Sequence, residues 1–133
     1  MSRNPSHTTR KKRFPGTKKA ERYIQPTILL ALKRKPSYGY ELLSVIPEFG
    51  FMENQAPPGM IYRHLRDLEE HGLVLSEWET DGTGPAKRVY QLTGEGEQVL
   101  AYWIDYMETL ADKMQRFIET YRNAPEKDSS DVV

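Results

Sequence analysis

The segment from residue 57 to residue 72 constrains the fold more than any other part of the sequence. Three apolar residues recur there at intervals of three and four, the spacing of one stripe along an α-helix. They are Ile61, Leu65 and Leu68. Tyr62, Arg63 and Arg66 fall between them and point away from the stripe. Pro58 suits the first helical turn, and Gly72 suits the left-handed residue that ends a helix. The segment therefore predicts an amphipathic helix with one buried side and one cationic side.

Length and composition limit the chain to one small domain. A chain of 133 residues with 38% hydrophobic residues can bury a single modest core. The absence of cysteine excludes disulfides and thiolate metal sites and agrees with a reducing compartment. No secretory segment begins the sequence, and no apolar run approaches the roughly 20 residues that span a bilayer. We therefore expect a cytoplasmic protein with no membrane partner.

The formal net charge of +0 conceals a strong asymmetry along the chain. Every acidic residue lies at or after Glu21, and the Lys and Arg residues before it have no acidic residue among them. Those cations are Arg3, Arg10, Lys11, Lys12, Arg13, Lys18 and Lys19. Such a composition cannot bury a core and predicts a disordered basic arm over residues 1–21. The arm either lies along DNA phosphates or in a minor groove, or it is only a solubilising tail, and the sequence leaves both interpretations open.

Two helices are predicted between the arm and the amphipathic segment. The first covers residues 23–35 and has apolar side chains on most of its surface, so we expect it to lie deep in the core. Ser37 is the predicted N-cap of the second helix, which ends at Pro47. The connection that follows is longer than a tight helix-turn-helix joint. Its Phe49 and Phe51 are expected to cover the edge of the core, or alternatively to line a ligand site.

A β-hairpin is predicted after the amphipathic helix. Residues 73–79 and 87–92 have strand character, and residues 81–85 have turn composition. Helices followed by a hairpin form a winged helix, in which the amphipathic helix is the recognition helix. Lys87 and Arg88 follow the turn, where they can reach phosphates beside the groove that the helix fills. Alternatively, these two cations only keep an edge strand soluble.

The last helix is predicted over residues 94–123, with Thr93 as its cap. Apolar residues recur along it in steps of three and four for about three heptads. They are Leu100, Trp103, Met107, Leu110, Met114, Phe117 and Tyr121. The near end of this seam can pack on the chain's own core, but the far end extends beyond it and predicts pairing with a second copy. Residues 124–133 are predicted to form a flexible tail.

Four parts of the sequence together resemble the PadR family of bacterial and archaeal transcriptional regulators. These parts are Ile28–Leu32 with Ser37–Leu42, Pro58–Leu65 with Leu68–Leu73, Gly84–Thr93, and a single C-terminal helix similar to that of the short subfamily. The resemblance covers roughly residues 23–121, and the order and spacing of the parts make it specific. The expected fold is mostly α with a small β-hairpin. It consists of a winged helix-turn-helix domain over residues 22–93 and a long dimerisation helix over residues 94–123.

The resemblance also implies a function and a set of DNA contacts. It implies a homodimeric repressor that binds an inverted-repeat operator in double-stranded DNA. Tyr62 matches a family tyrosine that meets the DNA backbone, and Gly59 matches a glycine that lets the helix start approach closely. Lys87 and Arg88 match the basic pair of the wing. Met60 stands where many members carry threonine or another small polar residue, so one hydrogen bond to a phosphate or base is either missing or replaced by apolar contact with a thymine methyl group.

A small aromatic effector is a further implication of the resemblance. In some relatives, planar aromatic compounds lie at the dimer interface against a tryptophan of the C-terminal helix. Here Trp103 lies about one turn before that position and Met107 occupies it. These two residues either line an effector pocket or belong to ordinary dimer packing.

Arg63 and Arg66 are the candidate base readers, because arginine makes a bidentate contact with guanine. No nucleophile with a base and no metal spacing among the three histidines supports an enzyme, so we expect neither catalysis nor a cofactor. The alternative function is a winged-helix module for protein association without specific DNA binding.

Overall fold

The computed structural model describes residues 19–51, 56–80, 82 and 84–127. Contacts within the chain divide it into two compact units, residues 1–100 and 101–133. The predicted arm lies outside the described residues up to residue 18. Its last three residues belong to a 3₁₀ turn, Lys19–Tyr23, that leads into the first helix.

The first helix, α1, is Ile24–Arg34, within one residue of the predicted bounds at each end. Seven of its residues are buried, which confirms that it lies deep in the core. Thr27 lies on this buried helix, and its hydroxyl donates to the carbonyl of Tyr23 at 2.7 Å, so that no polar atom is left unpaired there.

The second helix, α2, is Gly39–Val45, and the predicted cap at Ser37 is wrong. Ser37 is buried within a short strand, β1, Ser37–Tyr38, and its hydroxyl donates to the carbonyl of Lys35 at 3.2 Å. The cap contact is made one residue later, where the amide of Tyr38 donates to the Glu41 carboxylate at 2.8 Å. A 3₁₀ turn, Ile46–Phe49, follows α2, so the helix ends before the predicted Pro47.

The recognition helix, α3, is Pro58–Glu70, and both of its predicted ends are confirmed. Pro58 occupies the first turn, and Gly72 adopts a φ of +75° just after the helix. The chain reversal is closed by the amide of Leu73, which donates to the carbonyl of Leu68 at 2.9 Å. The stripe of Ile61, Leu65 and Leu68 is fully buried, as predicted.

The sheet has three strands rather than the two of the predicted hairpin. Strands β2, Val74–Glu79, and β3, Lys87–Leu92, are antiparallel, and β1 pairs with the other edge of β3. In β1, Ser37 faces Tyr90 across the ladder. A strand of two residues shows no alternation of apolar and polar side chains, which is why the sequence did not predict it.

The last helix, α4, is Gly94–Asn123, with the predicted bounds. Thr93 caps it as predicted, because its hydroxyl accepts from the amide of Gly96 at 3.0 Å. The first residues of α4 belong to the first unit, in which Leu100 is only 5% exposed and part of the core. Leu100 is therefore a core residue of its own chain, which corrects its place among the predicted dimerisation residues.

In the second unit, the rest of α4 carries large apolar side chains that the chain itself leaves exposed. Phe117 and Tyr121 are each 78% exposed and Met114 is 55% exposed. Trp103 and Tyr106 meet edge to face, with ring centroids 6.0 Å apart. Within the described residues, no helix is both long and apolar enough to cross a membrane.

Candidate nucleic-acid interface

The solvent side of α3 carries the predicted contact residues. Tyr62, Arg63 and Arg66 are all exposed, and a Cβ at Gly59 would meet nothing within 4 Å. Met60 is half-buried and packs against the core, so it offers only part of its side chain to a partner. Helix α3 therefore has one buried apolar side and one exposed cationic side, as the sequence predicted.

Tyr62 lies against the start of α2. A Cβ built on Gly39 would lie 2.5 Å from Cε1 and 3.0 Å from the hydroxyl oxygen of the Tyr62 ring. Real Cβ contacts are never that close, so the ring occupies the space that the missing side chain leaves. Gly39 thereby sets where the phenol of the recognition helix lies.

Arg63 is paired with an acidic residue that the sequence did not single out. Its guanidinium lies 2.5 Å from Oε2 of Glu21, in the 3₁₀ turn before α1. The same oxygen lies 3.2 Å from Nε2 of His64, a half-buried residue at the edge of the core. Arg66, by contrast, makes no ion pair with any residue that the structure describes. The two predicted base readers therefore differ in their surroundings.

Arg88 joins the hairpin to the recognition helix. Its Nε donates to the hydroxyl of Ser76 at 2.8 Å, and that hydroxyl donates to Glu69 of α3 at 2.7 Å. The guanidinium also lies 3.6 Å from Glu69 and 5.4 Å from the ring centroid of Trp78, its cross-strand neighbour. Arg88 is thus held on the protein, where it fixes the hairpin against α3.

Lys87 lies on the opposite face of the hairpin over two tyrosine rings. Tyr38 and Tyr40 are stacked with centroids 5.5 Å apart, and Nζ of Lys87 lies 5.6 Å and 5.9 Å from them. The Tyr38 hydroxyl donates to Glu79, the cross-strand partner of Lys87. This hydrogen bond is the main cause that raises the pKa of Tyr38 to about 12.

The remaining predicted site residues lie in the second unit. Trp103, Met107 and Leu110 are half-buried, in contrast to the exposed far end of the seam. A surface depression along α4 is lined by Lys113, Arg116, Phe117, Thr120 and Tyr121, and it contains neither of the predicted effector residues. Among the described residues, no group of three or more His, Asp or Glu side chains could hold a metal ion.

The candidate interface contains three residues that sequence reasoning missed, namely Glu21, Glu69 and Ser76. Ser76 and Arg88 could have been linked from the hairpin register, which places them on one face of neighbouring strands. Glu21 gives no such signal, because its partner Arg63 is 42 residues away in the sequence.

The three helices, the antiparallel hairpin and the cationic side of α3 define the chain as a winged-helix transcriptional regulator. The Transcriptional regulator PadR-like family matches residues 28–102, which is more than half of the chain. The chain therefore belongs to the PadR family, whose members are DNA-binding regulators and not enzymes.

Solved structures of PadR proteins are similar to this chain. A PadR family transcription regulator from Clostridium difficile R20291 is 27% identical over 72% of this chain and 98% of its own, with a TM-score of 0.65. A regulator from Eggerthella lenta DSM 2243 is 28% identical over 77% of this chain and 88% of its own, also with a TM-score of 0.65. Bacillus subtilis PadR in complex with operator DNA is 29% identical over 62% of this chain and 47% of its own, with a TM-score of 0.56. Among curated proteins, no sequence matches this chain.

Proposed function

We propose that this regulator is a homodimeric repressor that binds an inverted-repeat operator through α3 and the hairpin. The observation that carries the proposal is the side of α3 that faces solvent, where Tyr62, Arg63 and Arg66 are all exposed. The operator DNA bound to Bacillus subtilis PadR supports the same partner for this chain. Arg66 and Arg63 are the proposed base readers, and Tyr62 the proposed backbone contact.

The hairpin has two different roles in this proposal. Among the residues that the structure describes, Lys87 contacts two aromatic rings and forms no ion pair, so its ammonium group keeps hydrogen-bond donors for a phosphate. Arg88 is engaged with Ser76 and Glu69, so it acts mainly by positioning the hairpin and adds its charge to the local field. The proposal therefore assigns the stronger phosphate contact of the wing to Lys87.

Pairing of two α4 helices supplies the two-fold symmetry that an inverted repeat requires. The support is the exposed seam at Met114, Phe117 and Tyr121, since several large apolar side chains at helical spacing on one face form the kind of patch that marks an interaction surface. A small aromatic effector is part of the proposal through Trp103 and Met107. An effector would act by binding unequally to the DNA-competent and incompetent arrangements of the dimer.

Fluorescence anisotropy tests the proposed function. A labelled duplex from immediately upstream of this chain's own gene is compared with a shuffled duplex, each at two salt concentrations. The proposal predicts preferential binding to the upstream duplex, weakened several-fold at the higher salt, and loss of that preference on Arg66→Ala. Equal binding to both duplexes would contradict specific recognition, and no binding to either would favour the protein-association module.

A further inference from the structure

Glu21 places a negative charge beside the recognition helix. It is the first acidic residue of the chain, and its Oε2 lies 2.5 Å from the Arg63 guanidinium and 3.2 Å from the His64 ring. The side chain of Glu21 is 40% exposed and that of Arg63 is 59% exposed. The pair therefore lies at the surface where DNA is proposed to bind, within reach of a competing anion.

A relay of hydrogen bonds holds the carboxylate in this place. Nε2 of Gln25 lies 3.1 Å from Nδ1 of His64 and donates to Asp67 at 2.8 Å. An amide nitrogen only donates, so Nδ1 of His64 accepts and Nε2 is left to donate to Glu21. The Glu21 carboxylate is thus oriented from α1 and α3 together rather than by Arg63 alone.

Sequence-independent DNA binding depends on how many phosphates the protein neutralises. An arginine that already has a carboxylate partner gives up that partner when it contacts a phosphate, and the carboxylate then repels the same phosphate. A guanine edge accepts two hydrogen bonds from arginine but carries no net charge, so the Glu21 carboxylate repels it less than it repels a phosphate. The ion pair therefore penalises non-specific contacts more than specific ones.

We infer that Glu21 is a specificity-determining residue, which withholds Arg63 from non-specific phosphate contacts and so lowers binding to duplexes without an operator. This inference rests on the proposed function, because it assigns Arg63 to the DNA surface. Glu21 acts through Arg63 and does not itself read a base.

The test measures binding of a shuffled duplex as a function of salt for the full chain and for Glu21→Gln. The glutamine keeps the size of the side chain and removes its charge. The inference predicts about threefold tighter binding at low salt, the effect of one exposed ion pair. It also predicts a salt dependence steeper by about 0.9 in log–log slope, the value for one additional phosphate.

Two further variants show whether the effect passes through Arg63. In an Arg63→Gln background, Glu21→Gln should no longer steepen the salt dependence. Glu97→Gln is the matched control, since Glu97 forms a similarly exposed ion pair with Lys33 at 3.2 Å and its loss changes the net charge equally. Only Glu21→Gln in the presence of Arg63 should increase non-specific binding.

An unchanged slope in Glu21→Gln would overturn the inference. So would an equal change in Glu97→Gln, or an effect that persists without Arg63. If the unmodified chain binds upstream and shuffled duplexes alike, the proposed function fails while the predicted slope change can still be observed. Absence of binding by every variant at the lowest salt would overturn both.

Discussion

The missing side chain of Gly39 gives Tyr62 its position on the recognition surface. The ring of Tyr62 lies where a Cβ of residue 39 would be, and Tyr62 as a whole is 41% exposed. Gly39 has no positive φ, so its backbone conformation is one that any residue can adopt. The need for glycine is therefore steric and specific to this one contact.

Replacing Gly39 with alanine should weaken DNA binding without unfolding the protein. The new methyl group displaces the Tyr62 ring, which lies at the surface and can move. We expect affinity for the upstream duplex to fall about tenfold, the cost of one hydrogen bond to a charged group. Anisotropy measures the affinity and thermal unfolding checks the fold. Gly94→Ala is the control, since its Cβ would meet nothing within 4 Å, and equal affinity of the two variants would contradict this account.

The hydroxyl group of Ser76 connects the hairpin to α3, beside the direct ion pair of Arg88 with Glu69. Ser76 of β2 accepts from Arg88 of β3 and donates to Glu69 of α3. Each of these three residues lies on a different element, so the hydroxyl fixes the hairpin relative to the recognition helix. The position of the wing thus depends on a small group of polar contacts and not only on the core.

Ser76→Ala should loosen the hairpin. Loss of the two hydrogen bonds should lower the free energy of unfolding by roughly 1 to 2 kcal/mol. Amides of β3 should also exchange faster with solvent, because only the Arg88–Glu69 ion pair of this polar group then remains between the strand and α3. Urea unfolding and hydrogen exchange measure these effects. Ser44→Ala is the control, since the Ser44 hydroxyl donates only to the carbonyl of Glu41 within its own helix. Similar exchange in both variants would count against the connection.

The start of α4 packs too closely on the core to accept a side chain at Gly96. A Cβ there would lie 2.0 Å from the carbonyl oxygen of Leu73 and 2.6 Å from Cδ1 of Leu92. The carbonyl of Leu73 can move only if the backbone shifts. Gly96→Ala should therefore lower the free energy of unfolding by about 2 to 4 kcal/mol. Chemical denaturation at fixed protein concentration measures this cost. Gly94→Ala should remain near the unmodified value, and equal stability of the two variants would contradict the predicted clash.

The helices and the two long strands could be predicted because their signals are local. Proline, glycine and the spacing of apolar residues identified the ends of α3 and the bounds of α4. Strand β1 could not be predicted, since two residues carry no periodicity and serine is a residue typical of helix N-caps. The Glu21 and Arg63 pair could not be predicted either, because nothing near Glu21 in the sequence indicates a partner on α3.

At the scale of the whole molecule, the proposed function requires two recognition helices held at a fixed separation. An inverted repeat presents two half-sites, and a single chain contains one α3. The exposed seam of α4 is the surface that we propose binds the second copy of the chain. DNA recognition by α3 and the hairpin therefore depends, in this proposal, on dimer formation through α4.

Phe117→Glu should break the proposed dimer. A charge at a side chain that packs against its partner is costly to bury, so we expect the mass measured by light scattering to fall from two chains to one. Tyr102→Glu is the matched control, because Tyr102 is similarly exposed at 70% but lies off the seam. A monomeric unmodified chain, or dissociation by both variants, would contradict pairing through this seam.

Hydroxyl-radical footprinting of the upstream duplex tests the central claim most directly. A homodimer with two recognition helices predicts two protected segments with centres about 10 base pairs, or a multiple of that, apart. Both should vanish together in Phe117→Glu at protein concentrations that saturate binding of the unmodified chain. A single protected segment, or two that persist in this variant, would contradict paired recognition by a homodimer.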